Sequence, residues 1–110
     1  MKKGKYIIFE GGEGCGKSTQ TKLLYEYLTK KGVACVQSRE PGGVESSEKI
    51  RELLLHSRYD LDSRTELFLF EAARTEYFKN FVIPKINYGI TVLTTGLATQ
   101  LKPTKVMLEE

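Results

Sequence analysis

The stretch Phe9-Glu10-Gly11-Gly12-Glu13-Gly14-Cys15-Gly16-Lys17-Ser18-Thr19 decides how this chain is read. It fits the spacing G-x-x-x-x-G-K-[ST], with Gly11 at its start, Gly16 and Lys17 near its end and Ser18 closing it. A polyphosphate needs many donors and positive charge at close range. Glycines let successive backbone N–H groups turn inward with no Cβ in the way. A helix starting just after the loop adds its positive dipole end and its unpaired N–H groups. In such a phosphate-binding loop Lys17 reaches the β- and γ-phosphates and the Ser18 hydroxyl sits on Mg²⁺. The run Gly11-Gly12-Glu13-Gly14-Cys15-Gly16-Lys17-Ser18-Thr19 is therefore the expected ATP-binding set.

The flanks agree with this. Lys5-Tyr6-Ile7-Ile8-Phe9 is a short β-branched and aromatic run, as a buried strand should be. Beyond the loop Leu23, Leu24, Tyr27 and Leu28 recur at helical spacing, and Gly32 stops the pattern after Lys30-Lys31. Val33-Ala34-Cys35-Val36 reads as a second buried strand, which makes a βαβ unit and implies a parallel sheet. Ser38-Arg39-Glu40-Pro41-Gly42-Gly43 then carries a turn signal. That signal accounts for the segment by itself. In parallel sheets, however, ligands gather beyond the carboxyl ends of the strands, which also puts Arg39 and Glu40 at the loop's edge of the sheet.

Ile50, Leu53 and Leu54 mark a second helix, with Arg51 among them and an end around His56-Ser57-Arg58. His56, the single histidine, has no visible partner and reads as structural. Asp62 or Ser63 can cap the next helix, with Glu66 in its first turn. Leu67, Phe70, Ala73, Arg74, Tyr77, Phe78, Phe81 and Val82 continue it as a long apolar stripe, which Pro84 should kink or restart. Such a stripe is usually core. Phe70 and Arg74 share a face at i, i+4, and a ring beside a guanidinium could also sandwich a nucleobase; on the residues alone core packing is favoured. Gly89 ends the helical region, and Ile90-Thr91-Val92-Leu93-Thr94 is a third strand.

The bulk composition excludes several classes. A chain of 110 residues is one domain at most, and 40% hydrophobic content is that of a globular protein. The net charge of +3 is mild and the basic residues are scattered, which points to phosphorylated small molecules and not to nucleic acid. Cys15 and Cys35 make no disulfide framework and suit a reducing compartment. The apolar run Tyr6–Phe9 is too short for a signal peptide or a membrane span, so the expected location is cytoplasmic.

Taken together, the segments resemble the thymidylate kinase family, P-loop enzymes that phosphorylate dTMP. The resemblance rests on Phe9-Glu10-Gly11 with Ser18-Thr19-Gln20, on Arg39-Glu40-Pro41-Gly42-Gly43, and on Ile50-Arg51-Glu52-Leu53-Leu54-Leu55. It continues through Arg64-Thr65-Glu66-Leu67 and Phe70-x-Ala72-Ala73-Arg74, and covers residues 3–94. It implies an α/β fold, a P-loop NTPase-type parallel sheet with helices on both faces, here truncated after the third strand. It also implies Mg²⁺ with ATP as co-substrate, dTMP as acceptor and a helix-packed homodimer. Glu13 falls where the family has an acidic residue near the acceptor's 3′-hydroxyl. Arg51, Phe70 and Arg74 fall on positions that hold the dTMP phosphate and stack on or clamp its thymine, and Arg39 and Glu40 join them as candidate substrate contacts. Lys17 is the catalytic candidate and Ser18 the metal contact. No arginine stands inside the loop, as in the branch whose catalytic arginine comes from a later lid. Another P-loop nucleotide kinase would share the loop without the Arg39–Gly43 and Phe70/Arg74 motifs.

The resemblance stops at residue 94, and residues 95–110 read as a separate, non-family tail. Reading from the third codon base of Thr94, the degenerate codons permit Asp-Arg-Phe-x-Asp-Ser-Thr-x-Ala-Tyr-Gln-Gly-Tyr, a family-like series. The expectation is a lost base near that codon and a frameshifted tail. The family's Asp-Arg pair and lid arginine are then missing, which implies a marginally stable chain with very weak catalysis, or a gene-decay product that at most binds nucleotide.

Overall fold

The computed structural model describes residues 2–9 and 17–96. Three strands, β1 (Tyr6–Phe9), β2 (Cys35–Glu40) and β3 (Thr91–Gly96), form one parallel sheet in the order β1-β3-β2. The helices are α1 (Lys17–Lys30), α2 (Glu45–His56), α3 (Ser63–Tyr77) and α4 (Ile83–Asn87), with a π-helical stretch, Phe78–Val82, joining the last two. Pairing Tyr6 with Val92 and Val92 with Val36 sets the register; Phe9, the last residue of β1, is level with Thr95 and Arg39, and β3 and β2 run one residue further, to Gly96 and Glu40. One carboxyl edge is thereby shared by the end of β1, the Arg39-Glu40 pair and the end of β3.

The pleat assigns the two faces. Cys35 Sγ lies 3.7 Å from Thr29 Oγ1 and 4.0 Å from the Tyr25 carbonyl oxygen, so its face of the sheet meets α1. Its neighbour Val36 packs against the buried cluster of Tyr77, Val82 and Val92, as do Tyr6, Phe78, Phe81 and Ile86, on the face covered by α3, the π-helical stretch and α4. Successive side chains of a strand point to opposite faces, so helices lie on both sides. A smaller cluster, Leu54 with Phe70 and the half-buried Leu69, holds α2 on α3. There the buried Ser47 hydroxyl donates to the Ala73 carbonyl at 2.8 Å, which lets the two helices approach closely.

The ends of β2 and β3 differ from expectation, whereas the helix signals hold. The second strand begins at Cys35 and includes Arg39 and Glu40, which are strand residues and not part of the following turn. The third strand runs to Gly96, because ladder pairing is a main-chain matter and Glu40 and Phe9 still have partners there. The Asp62 carboxylate caps α3 by accepting from the Arg64 N–H at 2.8 Å. Gly32 closes α1 at φ 81°, with the Val33 N–H donating to the Leu28 carbonyl at 2.9 Å. Pro84 has no N–H to continue an α-helical ladder; the chain widens into the π-helical stretch ahead of it and restarts as α4 with the proline in its first turn. On α1, Leu23 and Tyr27 are 59% and 57% exposed, so only part of its apolar pattern meets the sheet among the described residues.

Candidate nucleotide site

The loop residues Gly11, Gly12, Glu13, Gly14, Cys15 and Gly16 lie outside the described residues. The elements around them are the ones the motif requires: β1 ends at Phe9 and α1 begins at Lys17. Lys17 and Ser18 occupy the first turn of that helix, where backbone N–H groups lack intrahelical partners. Thr19 follows as an exposed helix residue.

Across the same edge stands a buried ionic cluster. Glu40, the last residue of β2, is 3% exposed. Its Oε1 accepts from the Tyr6 hydroxyl at 2.6 Å, and its Oε2 accepts from Arg74 Nε. Both carboxylate oxygens are thus satisfied, the condition under which a buried charge is tolerable. The Arg74 guanidinium also lies over the Phe78 ring, 4.8 Å from its centroid, and the Tyr6 ring meets Phe78 edge-on at 4.9 Å. Beside them Tyr77 and Thr94 share a hydrogen bond of 2.9 Å between their hydroxyls. Burial, reinforced by the Glu40 carboxylate, raises the Tyr6 pKa well above the ordinary phenol value, and burial raises that of Tyr77. Both hydroxyls stay protonated at neutral pH and remain available as donors.

A second group lies on α2 and the turn before it. Glu48 accepts from Arg39 at 2.7 Å and from the Gly43 N–H at 3.1 Å. The Arg39 hydrogen bond is the main reason its pKa falls below the ordinary carboxylate value. A cavity of about 360 Å³ is lined by Arg39, Glu48, Lys49, Arg51, Glu52 and residues at the end of α2. Arg51 Nε is buried without a hydrogen-bond partner among the described residues. Burial first, and then the Arg39 charge, push the Arg51 pKa down. His56 is exposed and sits on the wall of this cavity.

Glu40 and Arg74 are therefore brought together, and Arg39 and Arg51 share the neighbouring cavity. Phe70 is 4% exposed and packs on Leu54, one turn before Arg74. Sequence reasoning did not identify Tyr6 or Phe78 as parts of this cluster. Tyr6 is 34 residues from Glu40, and only the β1-β3-β2 order and its register put the two on one face. No cluster of three or more His, Cys, Asp or Glu side chains that could hold a metal ion occurs among the described residues.

Comparisons with known proteins agree with this geometry. The thymidylate kinase family model matches residues 9–97. The thymidylate kinase of Shouchella clausii is 47% identical over 94 residues, which is 84% of this chain and 44% of that protein. That of Dehalococcoides mccartyi is 49% identical over 89 residues, covering 80% of this chain and 43% of the relative. The crystal structure of thymidylate kinase from Ehrlichia chaffeensis superposes with a TM-score of 0.75 at 40% identity, over 84% of this chain and 53% of that one. The chain spans less than half the length of these two sequence relatives. With the strand order, the loop's flanking elements and the family match in agreement, this chain belongs to the thymidylate kinase family.

Proposed function

We propose that this chain carries nucleotide-recognition elements of a dTMP kinase, in which the γ-phosphoryl group of Mg-ATP passes to the 5′-phosphate of dTMP. The observation that carries the reading is Arg51, whose buried Nε has no acceptor among the described residues and which lines the cavity it shares with Arg39 and Lys49. Leaving a buried donor unpaired costs about 1–3 kcal/mol, so such a group on a cavity wall is best explained by an acceptor that arrives with a ligand. A phosphate dianion meets both needs there: it accepts the hydrogen bond, and it offsets the mutual repulsion of Arg39 and Arg51.

In this reading the acceptor phosphate lies at Arg51 and Arg39, and the thymine lies toward Arg74, with Phe70 bounding it. Glu13 stands near the sugar hydroxyl. Lys17 and the loop amides hold the ATP phosphates, and Ser18 contacts the Mg²⁺ that ATP brings. Phosphoryl transfer needs the two nucleotides in line and their charge neutralised, and these groups supply position and positive charge. A helix-packed homodimer and a cytoplasmic location belong to the same proposal; no described helix is long and apolar enough to cross a membrane.

Calorimetric titration of the chain with dTMP and with thymidine tests it. dTMP is expected to bind more tightly than thymidine. Arg51→Ala should remove about ten- to a hundredfold of dTMP affinity, the worth of a charged hydrogen bond, and leave thymidine unaffected. Equal binding of dTMP and thymidine, or an Arg51→Ala chain that binds dTMP like wild type, overturns the reading.

A further inference from the structure

We infer that Tyr6 is a positioning residue for Arg74, acting through Glu40 and Phe78, and that it sets affinity for the acceptor nucleotide from the strand that leads into the phosphate-binding loop. The inference rests on the reading of Arg74 as an acceptor contact.

Two of the groups that hold Arg74 in this structure are the Glu40 carboxylate, which takes its Nε, and the Phe78 ring beneath its guanidinium plane. Tyr6 touches both. Its hydroxyl donates to Glu40 Oε1 at 2.6 Å, and its ring sits edge-on to Phe78 at an interplanar angle of 61°. The carboxylate is 3% exposed, so water cannot readily replace the tyrosine donor. With Oε1 satisfied by Tyr6, the carboxylate is fixed about its terminal torsion and presents Oε2 to Arg74. Without that donor the group is free to turn, and a planar, fork-shaped guanidinium loses the plane it must share with its ligand. The raised pKa of Tyr6 keeps the donor protonated across the neutral range.

The position matters as much as the contact. Tyr6 opens β1, which ends at Phe9 just before the loop, whereas Arg74 is on α3. Glu40 is the last residue of β2. One hydroxyl therefore ties the strand entering the ATP-binding loop to the arginine proposed for the acceptor. A ring that merely packed against Val92 and Phe78 would be served equally well by phenylalanine.

The test compares wild type, Tyr6→Phe and Thr91→Val. The last removes a hydroxyl that accepts from the Lys5 N–H at 3.2 Å, next to Tyr6 but at the far end of the sheet from Glu40, so it loosens the start of β1 without touching the Glu40 carboxylate. The first readout is the rate of phenylglyoxal modification at Arg74, located by peptide mass mapping. Tyr6→Phe should raise it about two- to tenfold, the range of one hydrogen bond, and leave the Arg64 rate unchanged. Thr91→Val should react like wild type. The second readout is calorimetric: dTMP binding should weaken by about the same factor in Tyr6→Phe while ATP binding holds. An Arg74 rate unchanged by Tyr6→Phe, or raised equally by Thr91→Val, overturns the inference. An altered Arg74 rate in a chain whose wild type binds no dTMP supports the brace and overturns the acceptor reading it was joined to.

Discussion

Gly43 offers a sharp stability test, because two separate costs meet there and a second glycine isolates one of them. Gly43 has φ 78°, and a Cβ added to it would stand 2.8–3.0 Å from ring carbons of Phe81 and Tyr77. Tyr77 is fully buried and Phe81 is stacked on it at 5.5 Å, so neither ring can swing away freely. Gly32 has φ 81°, and nothing lies within 4 Å of its added Cβ. Alanine at Gly32 therefore incurs only the left-handed backbone cost of about 1–2 kcal/mol, reduced by the roughly 0.4–1 kcal/mol it gains by stiffening the unfolded chain. Alanine at Gly43 incurs the same terms plus about 1–3 kcal/mol of overpacking against the rings. Urea unfolding of both variants reads the difference. With m near 1–3 kcal/mol/M, the Gly43→Ala midpoint should fall about 0.3–3 M below that of Gly32→Ala. The Gly43 N–H also donates to Glu48, which holds Arg39, so the cavity should loosen with the turn. Equal midpoints for the two variants would refute the steric part of the reasoning.

Three further outcomes are expected. Glu48 has its folded pKa lowered from 4.5, chiefly by Arg39, so its contribution is present above that value and lost as the pH falls through the folded one; Glu48→Gln should flatten the acid limb of a stability–pH profile, and an unchanged limb contradicts it. Tyr6 and Tyr77 have folded pKa values raised above 10.0, so stability should decline as the pH rises beyond about 10, with these two phenols ionising only as the chain unfolds; ring NMR signals assigned to Tyr6 and Tyr77 that shift to tyrosinate before the circular dichroism is lost count against it. The frameshift reading of residues 95–110 predicts that one base inserted near the Thr94 codon opens the Asp-Arg-Phe series. On that reading dTMP-dependent ADP release by the 110-residue chain is far slower than by the restored product, and Lys17→Ala abolishes what remains; a coding sequence with no such second frame overturns it.

What the sequence revealed and what it concealed divide along the reach of the interactions. Gly32, Asp62 and Pro84 act within a turn or two of chain, and their effects on α1, α3 and the restart at α4 follow from local chemistry. The parallel sheet was legible because a loop and helix between two apolar runs admit little else. The ends of β2 and β3 were not, since Arg39, Glu40, Thr95 and Gly96 carry no strand pattern and are paired only through their neighbours' main chains. At the site, motif residues such as Arg51 and Arg74 could be named in advance, but their supports could not. The Tyr6–Glu40 bond joins strands on opposite sides of β3, and the Ser47–Ala73 bond joins two helices. Both depend on tertiary placement, which leaves no periodic trace. Phe70 shows the limit from the other side: its spacing fits either a core ring or a base platform, and its burial against Leu54 shows that it packs α2 on α3.

The proposed function requires Arg51 and the Glu40–Arg74 cluster to act on one acceptor nucleotide. Its most direct test is a titration of isotope-labelled chain with dTMP, followed by amide and arginine side-chain NMR shifts. Saturable shifts are expected at Arg39–Gly43, Arg51, Phe70–Arg74 and Tyr6, with the Arg51 Nε–H signal moving strongly as it gains an acceptor. Shifts that do not saturate, or that gather on the exposed face of α1 around Leu23 and Tyr27, would contradict it.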